Sequence, residues 1–285
     1  MSYQIITDSC CDLTDAQLQA MQVSCAGLTV MYNGENHTNF SEPAAVKAFY
    51  DDLRSGTMAT TAAANPDDWS KLMIPALEAG RDVLVITFSS GLSTTYQSAV
   101  IAAKDLQEEY PQRIILVVDS LAAALGQGLL VHHACKKRDE GMGIRELAAW
   151  LEEHRTNICH WVTVDDLAHL KRGGRISATS AIVGSMLNIK PIIHVDNDGH
   201  LINTAKVRGR KVAMEHLVKK FSETCTDFDT VFIGHGDCPE DAAALEALLR
   251  EKHDIKHITT GYVGPVIGAH TGPGVLVVFF MGTHR

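Results

Sequence analysis

The chain has 285 residues, 46% of them hydrophobic and 6% aromatic, with 25 Lys and Arg against 34 Asp and Glu for a formal net charge of −9. That length and apolar content suit two domains of ordinary size, each with its own core. The acidic balance argues against nucleic acid or an anionic membrane surface as the main partner, because either asks for a basic face, so any anion has to be held locally.

The seven cysteines, Cys10, Cys11, Cys25, Cys135, Cys159, Cys225 and Cys238, are odd in number and lack Cys-x-x-Cys spacing. They describe neither a disulfide framework nor a zinc knuckle and read as reduced cytosolic thiols. His132, His133 and Cys135 sit close together but lack a fourth ligand, so no metal is expected. The chain does not open with a basic segment followed by a long apolar one, and nothing approaches ~20 consecutive apolar residues. The expectation is a cytoplasmic protein without signal peptide or membrane span, with transient membrane contact left open.

In chain order, apolar runs at 3–7, 84–88 and 114–118 alternate with helical spacing at 14–21, 66–80, 93–109, 126–140 and 144–155. This alternation predicts a parallel sheet covered by helices, with a small hairpin inserted around 28–30 and the Asn33-Gly34 turn. After Arg155 the pattern changes. A glycine-rich stretch at 171–176 precedes a helix-like run at 177–187, and strands at 191–195 and 201–204 flank an Asp-Gly turn. Further strands at 230–233, 255–263 and 275–281, with helices at 210–224 and 239–251, complete an α+β region with a mixed or antiparallel sheet. The expected division is an N-terminal α/β domain, 1–157, and a C-terminal α+β domain, 158–285.

Three separated stretches carry the chemistry: Thr61, the run from Phe88 to Ser93, and the run from Gly268 to Gly274. Ser89, Ser90, Gly91, Ser93 and Thr94 stand between a predicted strand and a predicted helix, where free backbone N–H groups favour carboxylate or phosphate oxygens. A plain N-cap is the alternative for Ser93 or Thr94. Asp8, Ser9, Asp119 and Ser120 follow two other strands on the same sheet edge and read as caps of the next helices. Thr61, Ser93 and His270 together offer two hydroxyls and an imidazole, a donor set suited to a carboxylate that is otherwise costly to bury. Small and branched runs at Leu121 to Leu125, Ala181 to Leu187 and Ile192-Ile193 suit either ordinary core or the wall of an apolar slot for a tail. Lys171, Arg172, Arg175, Lys206, Arg208, Arg210 and Lys211 stand out in an acidic chain and read equally as a solvated basic face or as a basic mouth facing a phosphate or a partner.

Taken together, Ile6-Thr-Asp-Ser-Cys-Cys-Asp-Leu13, Thr61 ahead of Asn65-Pro66, the run from Ser89 to Ala99, Val118-Asp-Ser120, Leu170-Lys-Arg-Gly-Gly-Arg-Ile176 and His270-Thr-Gly-Pro-Gly274 resemble the DegV family over nearly the whole chain. The resemblance implies a two-domain fold with one long-chain fatty acid in a tunnel between the domains. It also implies the role of acyl-carrying subunit of the bacterial fatty acid kinase, whose separate catalytic subunit phosphorylates the carboxylate with ATP. Two departures stand out: Thr61-Ala-Ala-Ala64 where the family usually has Thr-Ser-Gln-Pro, and Leu92-Ser-Thr-Thr95 where it usually has Leu-Ser-Gly-Thr. No cofactor and no catalysis by this chain alone are expected, since neither Gly-x-x-x-x-Gly-Lys nor Gly-x-Gly-x-x-Gly appears. The alternative is a serine-dependent lipid esterase using Ser93 or Ser90 with His270 and an aspartate such as Asp119, although a Gly-x-Ser-x-Gly elbow is missing.

Overall fold

The computed structural model describes residues 3–38, 42–165, 167–176 and 188–285. Strand β1 (Tyr3–Asp8) passes through a single 3-10 turn into α1 (Asp15–Ala20). Thr14 opens that helix with a capping box, its hydroxyl accepting the Gln17 N–H while the Gln17 side chain accepts the Thr14 N–H. Next come β2 (Val23–Ala26), β3 (Thr29–Tyr32), β4 (Glu35–Thr38), α2 (Pro43–Arg54), β5 (Thr60–Ala62), α3 (Pro66–Glu78), β6 (Asp82–Thr87), α4 (Thr95–Glu109), β7 (Ile115–Asp119), α5 (Leu125–Asp139) and α6 (Ile144–His154). The second half contains β8 (Ile158–Thr163), α7 (Ala168–Arg172), β9 (Ile189–Val195), β10 (Leu201–Arg208), α8 (Arg210–Thr224), β11 (Thr230–His235), α9 (Pro239–Lys252), β12 (His257–Tyr262), α10 (Pro265–Thr271) and β13 (Leu276–Met281).

The first half is built on a four-stranded sheet in the order β2-β1-β6-β7, parallel throughout. Every residue of the central strand β6 is buried, the expected outcome for a short apolar run covered on both faces by helices. The second half forms a six-stranded sheet in the order β10-β9-β8-β13-β11-β12, antiparallel except for β11 beside β12. The inserted hairpin is present, with Asn33 and Gly34 both at positive φ as a tight hairpin turn requires. It gains a third strand, β5, which places Thr61 opposite Val30.

Sequence reading passes over β2, β5, β8, α2, α7 and α10. For α2 the signal was present: Pro43 sits in the first turn, and Val46, Phe49, Tyr50 and Leu53 form a buried i, i+3, i+4, i+7 stripe. The helix-like run at 177–187, with the proposed tail wall from Ala181 to Leu187, lies outside the described residues. The C-terminal ends of the parallel strands open toward the six-stranded sheet, and the two sheets share a cavity lined by Phe88 and Ala123 on one side and Val162, Ile193 and Phe279 on the other. The parallel sheet thus places its loops at the ligand-binding edge usual for such sheets.

Candidate functional site

Two buried carboxylates hold the serine turn from beneath. Asp8 accepts the Phe88 N–H at 2.7 Å and the Cys10 N–H at 3.0 Å. Asp119 accepts the Ser90 N–H at 3.2 Å and the Leu121 N–H at 3.0 Å. Ser9 Oγ accepts the Leu28 N–H, and Ser120 Oγ accepts the Ala122 N–H. The expectation that these four cap the following α-helices is therefore corrected. Asp8 does cap a 3-10 turn, but their common role is to fasten loops along the sheet edge. Burial pushes the Asp8 carboxyl up to about 6, against the lowering effect of its two amide bonds.

Within the turn the hydroxyls divide. Ser90, Gly91, Ser93 and Thr94 line the cavity. Ser89 is not among its lining residues: it is fully buried, donates to Gly199 O at 2.8 Å and accepts the Gly91 N–H at 3.2 Å. It braces the turn against the β9–β10 hairpin, contrary to its expected ligand contact. Ser93 Oγ accepts the Thr95 N–H and shares a 2.8 Å hydrogen bond with Thr95 Oγ1, whereas Thr94 makes no side-chain cap bond. Ser93 thus helps to start α4 and faces the cavity as well.

His270 lies in the last turn of α10. Its Nε2 shares a 2.8 Å hydrogen bond with Thr61 Oγ1, joining residues 209 positions apart. Burial, and then the Arg175 guanidinium, lower its pKa to about 4, so the imidazole is neutral near pH 7. Gly173 admits the ring, because a Cβ there would overlap Nδ1. Arg175 Nε donates to Leu92 O at 3.3 Å, and its guanidinium also donates to Gly173 O. The fixed positive charge at this end of the cavity is therefore that of Arg175.

The cavity has a volume of about 440 Å³, within the range of ordinary ligand sites. Thr61, Ser93, Arg175 and His270 give it polar character, while Leu28, Leu92, Val162, Ile193, Val266 and Val277 line much of the rest. Ala123, Ala124 and Ile193 of the expected tail slot line it; Ile192 packs into the opposite core. A second, smaller cavity of about 210 Å³ also touches Thr61 and His270 and is lined by His169, Arg172 and Arg175. Lys206 and Arg208 lie on exposed positions of β10 and line neither cavity. Arg210 pairs with Asp241 at 2.8 Å, and Lys171 is exposed. The basic mouth read from sequence thus narrows to Arg172 and Arg175.

Among the described residues the esterase relay is not assembled. The imidazole of His270 bonds Thr61, Ser93 bonds Thr95, and Asp119 is occupied by two amides. Sequence reading missed Gln97, His160 and Thr271 as lining residues. His160 had a signal, a lone histidine in the apolar run from Ile158 to Val164 that sequence reading also passed over. Gln97 and Thr271 carried no such signal. Among the described residues no helix is long and apolar enough to cross a membrane.

Comparison with known proteins places this geometry. The model of the DegV family, described as uncharacterised proteins, matches residues 2–283. A DegV domain-containing protein of Clostridium perfringens is 42% identical over 283 residues, 98% of this chain and 97% of its own. A DegV lipid-binding protein from Thermotoga maritima superposes with a TM-score of 0.87 at 28% identity, covering 100% of both chains. A DegV family protein from Thermus thermophilus, described by its fatty acid binding, gives 0.87 at 29% identity over 99% of this chain and 100% of that one. With the motif order, the paired sheets and the full-length matches in agreement, this chain belongs to the DegV family.

Proposed function

We propose that the protein holds one long-chain fatty acid between an N-terminal unit, 1–157, and a C-terminal unit, 158–285, and presents its carboxylate to a separate kinase subunit for conversion to an acyl phosphate. The observation that carries this reading is a largely apolar cavity with Thr61, Ser93, Arg175 and His270 among its walls. A carboxylate is costly to bury without hydrogen bonds and a counter-charge; the hydroxyls supply the first and Arg175 the second. As the carboxylate enters, it raises the His270 pKa from about 4 back toward the ordinary histidine value. The Thermotoga and Thermus relatives are described as lipid- and fatty-acid-binding, which supports the same ligand class here.

The kinase role draws support from the smaller cavity behind Thr61 and His270, where His169, Arg172 and Arg175 form a basic approach to the carboxylate. Phosphoryl oxygens favour such a setting. The chain has no phosphate-cradling nucleotide loop, so ATP is assigned to the partner.

The test has two arms. Protein purified from a bacterial host is extracted with organic solvent, and mass spectrometry is expected to find about one equivalent of a long-chain fatty acid. Incubation with ATP should yield acyl phosphate only when a fatty acid kinase catalytic subunit is added. Absence of any acyl ligand would remove the binding reading, and acyl phosphate formed by this chain alone would remove the division of labour.

A further inference from the structure

We propose that His160 closes the far end of the acyl cavity and sets the longest tail that the protein accepts. This rests on the fatty-acid reading above and adds a specificity-determining residue to it.

The position follows from strand register. Beyond the His270 helix and its glycine loop, Val275, Val277 and Phe279 line the cavity in turn. At roughly 3.3 Å per residue, Phe279 stands about 13 Å beyond Val275. Strand β8 runs antiparallel to β13 and sets Val162 opposite Val277 and His160 opposite Phe279. Strand β9 sets His194 opposite Trp161, which brings Val195 beside His160, and β10 sets Leu201 opposite Val195. Leu201, Val195, His160 and Phe279 thus form one layer across four neighbouring strands, and all four line the cavity.

The parallel sheet gives the same direction independently. Leu28, close to Thr61 through the β3–β5 pairing, follows β2 at one edge, whereas Ala123 and Ala124 follow β7 at the other. Three strand spacings separate those edges, about 14 Å. The layer containing His160 meets the β7 end, since the Ala123 N–H donates to His160 Nε2 at 3.2 Å. The Thr61–His270 pair and His160 therefore stand at opposite ends of the cavity.

What His160 presents to a tail is bulk. Its Nδ1–H donates to Ile158 O at 2.9 Å, and Nε2 is occupied by Ala123, so neither nitrogen is left to bond a ligand. The ring meets Phe279 edge-on with centroids 5.3 Å apart. Behind it lies Gly126, where a Cβ would overlap the imidazole. The ring cannot retreat that way without displacing the start of α5, and close-packed interiors resist such shifts. The same histidine braces a loop in which Leu121 and Ala124 both adopt positive φ, so the floor of the cavity is held in a single shape.

The test is an exchange experiment on the full chain. Delipidated protein is equilibrated with an equimolar mixture of saturated fatty acids stepped in length, repurified and extracted, and the retained acids are quantified. His160→Ala should extend the retained distribution to longer tails, with roughly four-fold greater relative retention for each added methylene that finds room. His160→Asn is the gentler variant, since its side-chain oxygen can still accept the Ala123 N–H while ring volume is lost; it should shift the profile in the same direction. Leu201→Phe, at a partly exposed position of the same layer, should shorten the profile. Folded variants with the wild-type length profile would overturn the end-stop and leave fatty acid binding intact. A wild-type protein that retains no acid of any length would overturn both.

Discussion

Two histidines stand at the two ends of one cavity, and the same physics keeps both uncharged. Burial lowers the pKa of His270 to about 4 and that of His160 well below its ordinary value. Each packs against a glycine whose missing Cβ makes room for the ring, Gly173 for His270 and Gly126 for His160. The difference lies in their partners. His160 has both nitrogens fixed by backbone groups, so its protonation state and orientation are settled by the fold. His270 bonds only an exchangeable hydroxyl through Nε2 and sits near the Arg175 guanidinium. A ligand carboxylate can change the charge of the second histidine and not of the first. Burial alone therefore does not mark a functional histidine; a nitrogen bound only to a mobile polar group, beside a fixed charge, is the better sign.

The largest effect that would break this comparison is on stability. His160→Ala removes a ring that packs on Phe279 and Gly126 and leaves the Ala123 N–H without its partner, a combined cost of about 4 kcal/mol. His270→Ala, at a half-buried position where Thr61 can turn to water, should cost about 1–2 kcal/mol. Equilibrium denaturation of the two variants checks the order. Equal losses would mean that the two imidazoles contribute alike to the fold.

Much of this contrast was invisible in the amino-acid order. The strands β1, β6 and β7, the Asn33-Gly34 hairpin and the helices α1, α3, α4, α5 and α6 were legible because hydrophobic periodicity and turn residues are local properties. Thr61, Ser93 and His270 were legible as a donor set, but their surroundings were not. That His270 bonds Thr61 across 209 positions, or that Ser89 turns away to Gly199, depends on how one sheet faces the other. The apolar stripe of α2 was a missed local signal. Strand β5 is only three residues long, too short for a period to show, and it is held by pairing with β3. His160 drew no reading from the sequence; its place on the cavity floor comes from the strand register.

The acid limb of stability sharpens the comparison next. A histidine with a folded-state pKa of about 4 and an unfolded value of about 6.5 binds its proton more readily in the unfolded chain. Its contribution is therefore unfavourable to folding as pH falls from 6.5 toward 4, by at most about 3 kcal/mol. His270→Gln should remove that loss and flatten the curve in this window. His133, also lowered to about 4 by burial, keeps part of the slope in the variant, and Asp8, raised to about 6, acts in the opposite sense, so the difference between the two proteins is the quantity to measure. With a fatty acid bound, the carboxylate raises the His270 pKa and the difference should shrink. An identical acid limb in wild type and variant would show that His270 is not held neutral in the folded protein.

The smallest effect concerns Ser93 and decides between donor and nucleophile. Ser93→Ala removes a hydroxyl that faces the cavity and accepts the Thr95 N–H. It should weaken fatty acid retention by about 1.5–3 kcal/mol, the worth of a hydrogen bond to a charged group. Ser93→Thr keeps the hydroxyl and should restore most of the loss, whereas a purely helix-starting role would weaken a fatty acid and the matching fatty alcohol alike. Activated fatty acyl esters should leave no covalent adduct on Ser93, since the His270 Nε2 that would have to take its proton already bonds Thr61, and the Ser93 oxygen bonds Thr95. A nucleophilic serine needs a base within hydrogen-bond reach that is itself oriented by a third group. An acyl-Ser93 adduct found by peptide mass spectrometry would mean that the turn rearranges to bring Ser93 onto His270, and the two ends of the cavity would then differ in catalysis as well as in charge.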